Sequence, residues 1–465
     1  MKKLIVIALM FFVSHRSNSQ NPIAEIDFEN QAIERLKGAV LNDSLFLTIE
    51  GLRTVSAFKR NFYWIKADGS VRTLPLKLNK DQSIYAVGYT EDEEYYYYPI
   101  EIKKRVFLRA LILNKKTTEL REGSLEIEIP GTIYGSYVEG GRVYLILAEK
   151  KSYTLQLLSI KGLEIDSRKE FKLTFDLGSY KTEQAKFTNA YESFIPAKAF
   201  SPIKLTRDNN TLWITVDEPK KFTYEYTEPP PGVIYKTTVI KVDLNDTDKS
   251  VVKSFFENRS GDFSTRVFDD KLFRIYSDYE YNTTTVEAFD FATSQKIIGR
   301  TYTNKSGFPE TNIVYRSMDN KIGMGKTETP FLRNPSGIGY ISSDSMGKYT
   351  LLMGAEYEYK PYTGLVQGLG LGALLASAIV QAVVYEIGST KFSYNYVYLN
   401  LDTNNNLTTA QQVNLAMNKI DEFEIGQFGV KDPPILKGYL ASSNGVFALY
   451  NPRKTKILKI YNFAN

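Results

Sequence analysis

The chain has 465 residues, a formal net charge of +5, no Cys and a single His, His15. That inventory leaves no Ser-His-Asp or Cys-His nucleophile, and no His/Cys zinc, haem or iron–sulfur ligation, once an N-terminal signal is removed. Enzymatic chemistry is restricted to carboxylates, Tyr, Lys and oxygen-ligated metals, and disulfides are impossible.

Residues 1–19 have the layout of an export signal. Lys2 and Lys3 precede a ten-residue apolar run, Leu4 to Val13, which is too short for a membrane anchor. Ser17-Asn18-Ser19 supplies small residues for cleavage before Gln20, and no Cys follows for lipid attachment. Loss of Lys2, Lys3 and Arg16 leaves 55 basic residues against 53 acids, near neutrality and without a basic stripe, so no nucleic-acid partner is expected.

From residue 20 onward the chain repeats at the spacing of propeller blades: strand, tight turn, strand, variable loop, strand, turn, strand. The first turn recurs in LNDSLFLTIE (41–50), EGGRVYLILAE (139–149), RDNNTLWITVDE (207–218), FDDKLFRIYSD (268–278), DSMGKYTLLMGAE (344–356) and SSNGVFALYN (442–451). Each joins Asn, Asp, Gly or Ser to a run of apolar, β-branched and aromatic residues. The units fall near 38–78, 83–128, 132–176, 201–257, 263–303, 337–415 and 435–463.

The seventh unit has three strands, and IAEIDFEN (23–30) alternates like a strand without a unit of its own. The expected fold is therefore all-β: a single seven-bladed β-propeller over residues 20–465, closed by an N-terminal strand. A β-sandwich or two packed β domains is the alternative. Residues 177–200 and 304–336 read as inter-blade loops.

The sixth unit carries an insertion, 363–388. No charge occurs in the 25 residues 361–385, although they lie between the second and third strands of a blade. Such a length can cross a bilayer once, which would leave the two halves of one blade on opposite sides. A spanning segment is therefore not expected. Gly364, Gly368, Gly372 and Ala376 recur every fourth position and permit close backbone approach. Leu365, Leu369, Leu371, Leu374, Leu375, Ile379, Val380, Val383 and Val384 supply apolar surface, each worth about 1.5–3 kcal/mol on burial. The arm either folds back on its own propeller, enters a partner, or meets lipid.

A second pattern lies on the loops between second and third strands: EDEEYYYYP (91–99), FTYEYTEPPP (222–231), YEY (279–281) and YEYKPY (357–362). Acids close most second strands: Glu50, Glu91, Glu149, Glu218, Asp278 and Glu356. Tyr224, Tyr226, Tyr279, Tyr281, Tyr357 and Tyr359 are the candidate partner-binding tyrosines, on the face from which the arm also leaves. Tyr turned inward and Glu outward on a hairpin, or Tyr stacked on sugars, are the other readings. Asp402-Thr403-Asn404-Asn405-Asn406 and Asp243-Leu244-Asn245-Asp246 resemble the front of a calcium loop but lack its central Gly and closing Glu. No catalytic residue, metal site or cofactor is assigned.

The SNSQN signal end (17–21), the Lys/Tyr/Asn-rich composition and turns such as KADGSV (66–71) and DDKLF (269–273) resemble exported β-propeller proteins of Gram-negative Bacteroidota. The WD dipeptide and Kelch glycines are absent. With its apolar arm the chain looks like a periplasmic plug of the type IX protein-export channel. That resemblance implies a scaffold, not an enzyme, docked on a cell-envelope protein of the outer-membrane β-barrel class. Glycan binding, or a glycosidase using two carboxylates, is the alternative function.

Overall fold

Among the described residues, apolar runs bounded by turn residues become strands, almost all of them antiparallel. The computed structural model describes residues 20–464 apart from connecting segments, the longest being 75–85, 188–202, 218–234 and 360–390. Residues 1–19, read above as an export signal, the arm and Tyr224, Tyr226, Tyr279 and Tyr281 lie outside the described residues.

Among those described, the strands form seven sheets. β1 (Ala24–Asp27) stands apart from its successors. The first sheet holds β2 (Ala32–Leu41), β3 (Ser44–Thr54), β4 (Ala57–Lys66) and β5 (Val71–Leu74). The second holds β6 (Ala86–Tyr89), β7 (Glu93–Ile102) and β8 (Arg105–Asn114), with β9 (Leu120–Glu122) and β10 (Ile127–Glu128) both on β8. The third runs β11 (Thr132–Glu139), β12 (Arg142–Ala148), β13 (Thr154–Lys161), β14 (Glu164–Lys172).

The fourth sheet is β15 (Ala185–Phe187), β16 (Ile203–Asp208), β17 (Thr211–Asp217), β18 (Tyr235–Asp243) and β19 (Ser250–Glu257), with β15 parallel to β16. The fifth is β20 (Asp262–Phe268), β21 (Lys271–Asp278), β22 (Thr283–Asp290), β23 (Lys296–Thr303). The sixth contains β24 (Asn312–Arg316), β25 (Ile322–Lys326), β26 (Ser336–Ser343), β27 (Tyr349–Tyr359), β28 (Lys391–Leu401) and β29 (Leu407–Thr409). Helix α1 (Leu415–Gln427) precedes the seventh sheet, β30 (Leu436–Ser442), β31 (Gly445–Asn451) and β32 (Ile457–Ala464), on which β1 pairs antiparallel from Ala24↔Ile460 to Asp27↔Ile457.

Among the described residues neighbouring sheets pack face to face, so inner strands such as β7, β12, β17 and β31 bury both faces, whereas outer strands such as β14 are largely exposed. In β12, Val143, Leu145 and Leu147 join the core shared with the second sheet, while Ile146 and Ala148 join that shared with the fourth. This is why the strands read as continuous apolar runs and not as alternation. Comparable cores join the first and second, fourth and fifth, fifth and sixth, and seventh and first sheets.

Three sequence expectations change. EDEEYYYYP is not a loop: residues 93–99 belong to β7, and Tyr95 to Tyr98 are all buried. Tyr96 and Tyr98 pack toward the first sheet and Tyr95 and Tyr97 toward the third, the period-2 consequence of a strand between two neighbours. Glu91 accordingly sits in the turn before β7, at the opposite end from the second-to-third connection. The supposed inter-blade loops contain strands. β15 lies in 177–200, and the β24–β25 hairpin in 304–336 adds to β28 through Val314↔Tyr396 and Arg316↔Tyr394. Helix α1 was not anticipated, although Leu, Ala, Met, Lys, Ile and Glu dominate its sequence and favour helix.

Candidate functional site

The structure locates the roots of the expected binding face. Asp217 pairs with Thr237, Asp278 with Thr283, and Tyr359 with Lys391, each at the place where a second strand hands over to a third. Tyr357 and Tyr359 are the candidate tyrosines with a described backbone, opposite Ser393 and Lys391 at the far end of the β27–β28 ladder. Residues 360–390 thus leave and re-enter the sheet at adjacent points. The remaining site candidates, Gly364 to Val384 and the four tyrosines on 222–231 and 279–281, are outside the described residues.

Beneath this end of the fourth and fifth sheets lies a buried polar cluster that the sequence reading did not single out. Asp217, the last residue of β17, is gripped by both sheets. Its Oδ1 accepts hydrogen bonds from Thr237 Oγ1 (3.0 Å) and Thr265 Oγ1 (2.6 Å). Its Oδ2 accepts from the Thr265 backbone N–H (2.9 Å) and Lys204 Nζ (3.2 Å). Lys204 also donates to Ser264 Oγ (3.0 Å). The Lys204 and Asp217 side chains are only 2% and 1% exposed. Burial pulls the Lys204 ammonium below the usual lysine range, against the opposing charge and hydrogen bond of Asp217.

A second ionic group spans β21, β22 and β23. Arg274 donates through Nε (3.0 Å) and Nη2 (2.6 Å) to Glu287 Oε2, and Lys296 donates to Oε1. Burial alone would raise the Glu287 carboxyl, but the Lys296 and Arg274 contacts outweigh it and hold the group below the usual range. Chemically, both carboxylates are committed. Asp217 already accepts four donors, about the full lone-pair capacity of a carboxylate, so it acts as a clamp between two sheets.

The signal that could have revealed these residues is a charge flanked by apolar neighbours in a strand buried on both faces: Ile203-Lys204-Leu205, Phe273-Arg274-Ile275 and Val286-Glu287-Ala288. The two calcium-like stretches are turns. Asp402 Oδ1 accepts the backbone N–H of Asn404 (2.9 Å) and Asn406 (2.8 Å), and Asp243 Oδ1 accepts that of Asn245 (2.9 Å).

No family model matches the sequence, and no curated protein matches it. Similar solved structures include the β-propeller domain of the trilobed protease from Pyrococcus furiosus, at 9% identity and TM-score 0.32, covering 70% of this chain and 91% of that one. YjhT matches at 11% identity and TM-score 0.27, covering 83% and 99%. Synechocystis apocarotenoid oxygenase matches at 9% identity and TM-score 0.29, covering 59% and 63%. At these TM-scores the likenesses say nothing of function, and the coarse architecture, all-β with successive sheets in the manner of a β-propeller, stands on the sheets themselves.

The expectation that the chain is not an enzyme is corrected. The similar structures include an oxygenase. The missing His and Cys remove particular chemistries and leave Asp, Glu, Tyr and Lys in place.

Proposed function

We propose that the chain is an exported, closed seven-bladed β-propeller that binds a cell-envelope protein through the face carrying its second-to-third strand connections. The arm 363–388 is the principal contact, and the recipient is a groove or lumen of a membrane protein. An outer-membrane barrel used for protein export, occluded from below, is the recipient that the sequence resemblance suggests.

One observation carries the reading. β27 and β28 stay paired as far as Tyr359↔Lys391, and the residues between them include 25 consecutive uncharged positions. An apolar segment rooted at the end of a hairpin needs a sheltered surface, because each Leu or Val left in water forgoes about 1.5–3 kcal/mol. Closure is supported by β1 on β32 and by the core that β1 and the seventh sheet share with the first.

The test removes residues 364–386. The shortened protein should melt cooperatively near the parent temperature and no longer retain the envelope partner in a pulldown from detergent-solubilised membranes. Unfolding on deletion would identify the arm as part of the core and end the docking hypothesis.

A further inference from the structure

Six pairs of neighbouring sheets, the seventh with the first included, meet through a shared apolar core. Between the sixth and seventh sheets the described contacts differ. Among the described residues no apolar cluster contains both, and helix α1 stands between them.

One stripe of α1, Met417, Ile420, Asp421 and Glu424, follows the i, i+3, i+4, i+7 spacing of a helix face. All four residues are buried. Toward the seventh sheet the attachment is broad. Ala416, Met417, Ile420 and Phe423 pack on Val446, Ala448, Tyr450, Tyr461 and Phe463. Glu424 Oε1 accepts the phenols of Tyr450 (2.7 Å) and Tyr439. Lys419 Nζ reaches the Ala464 carbonyl (3.0 Å). Toward the sixth sheet the described attachment is polar: the Tyr396 hydroxyl, on β28, donates to Asp421 Oδ1 at 2.7 Å, and α1 lies beside β25.

We propose that this seam is the opening point of the ring and that α1 is its latch, released at the Tyr396–Asp421 hydrogen bond and travelling with the seventh sheet. The physical reason is asymmetry. An apolar core several residues deep resists separation in proportion to its buried area, whereas a hydrogen-bonded seam can exchange its partners for water on opening. Two of the elements that depart from the blade repeat, α1 and the β24–β25 hairpin, meet at this one seam, next to the β27–β28 hairpin from which the arm leaves. The proposal rests on the closed-ring reading above.

The chain has no native thiol, so single cysteines report opening directly. Tyr398→Cys places a probe on the same face of β28 as Tyr396, and Leu158→Cys places a control in the core between the second and third sheets. Under native conditions the seam thiol should react with a maleimide faster than the control. Tyr396→Phe should accelerate the seam probe about tenfold or more and leave the control within twofold. Asp421→Asn, which keeps an oxygen for the phenol, should accelerate it less. Equal rates at both probes, raised equally by Tyr396→Phe, would mean that only global unfolding exposes them, and the latch would be refuted. Small-angle scattering of the unmodified protein tests the ring separately. An elongated particle removes the ring and with it the latch, whereas a compact particle with equal thiol rates removes the latch alone.

Discussion

Replacing Asp217 by Ala withdraws one carboxylate from four donors at once. Lys204 is left as a buried ammonium without its counter-charge, and Thr237 Oγ1, Thr265 Oγ1 and the Thr265 N–H lose their acceptor. Removing one partner of a buried ion pair typically costs about 3–5 kcal/mol. Lys204→Met should cost less, about 1–3 kcal/mol, since Asp217 keeps three donors and Met fills similar volume. Urea denaturation followed by Tyr and Trp fluorescence measures both.

The pair also has a pH signature. Below the depressed Lys204 value both folded and unfolded chains hold the proton. Between that value and the ordinary lysine value of about 10.4, the unfolded chain binds more protons, so stability should rise with pH. The gap between parent and Lys204→Met should therefore widen in alkaline solution. Asp217→Ala within about 1 kcal/mol of the parent, or less costly than Lys204→Met, would refute the clamp.

Two further perturbations read other seams. Burial raises the Glu94 carboxyl above its ordinary range, only partly offset by hydrogen bonds from Tyr96 and Ser44. A raised carboxyl contributes stability at low pH that is lost as pH rises through its folded value. Glu94→Gln should therefore melt closer to, or above, the parent as pH rises from 4 to 8, and a constant offset in the melting curves would contradict this. Gly69 has φ +86°, and a Cβ there would run into the Ile23 carbonyl. Gly69→Ala should cost about 1–2 kcal/mol and raise the proteolytic sensitivity of β1 relative to β12.

Blade-like units were readable because turn chemistry and apolar runs recur together. Asn42-Asp43 before Ser44, Gly140-Gly141 before Arg142 and Asp269-Asp270 before Lys271 each announce a second strand, and β3, β12 and β21 begin there. The strand assigned to IAEIDFEN is β1. What escaped notice depended on contacts distant in sequence. Tyr95 to Tyr98 resemble a surface loop by composition, yet their alternate sides fill two cores and their hydroxyls find acceptors near and far in sequence: Glu93 for Tyr95 at 2.6 Å and the Gly162 carbonyl for Tyr97 at 2.5 Å. Local pattern cannot show that a Tyr-Glu pair is internal when the phenol–carboxylate bond is what permits its burial. The Lys204–Asp217 clamp joins residues of four strands, so local pattern flags its buried charge but not its partners, and helix α1 has helix-favouring residues but takes its place from two sheets.

The antiparallel ladder between Ala24–Asp27 and Ile457–Ile460 ties the first strand to the last. During synthesis residue 24 emerges early and must wait for a mate more than four hundred positions downstream. Until then its hydrogen-bonding groups lack their native partners, and the side chains of Ala24 and Ile26 have only the first sheet's half of their core, Leu45, Leu47, Tyr63 and Ile65, to pack on. A chaperone that binds short extended segments would find its natural client there, and a ribosome stalled short of residue 457 would hold a chain able to build its middle sheets but not to complete its last.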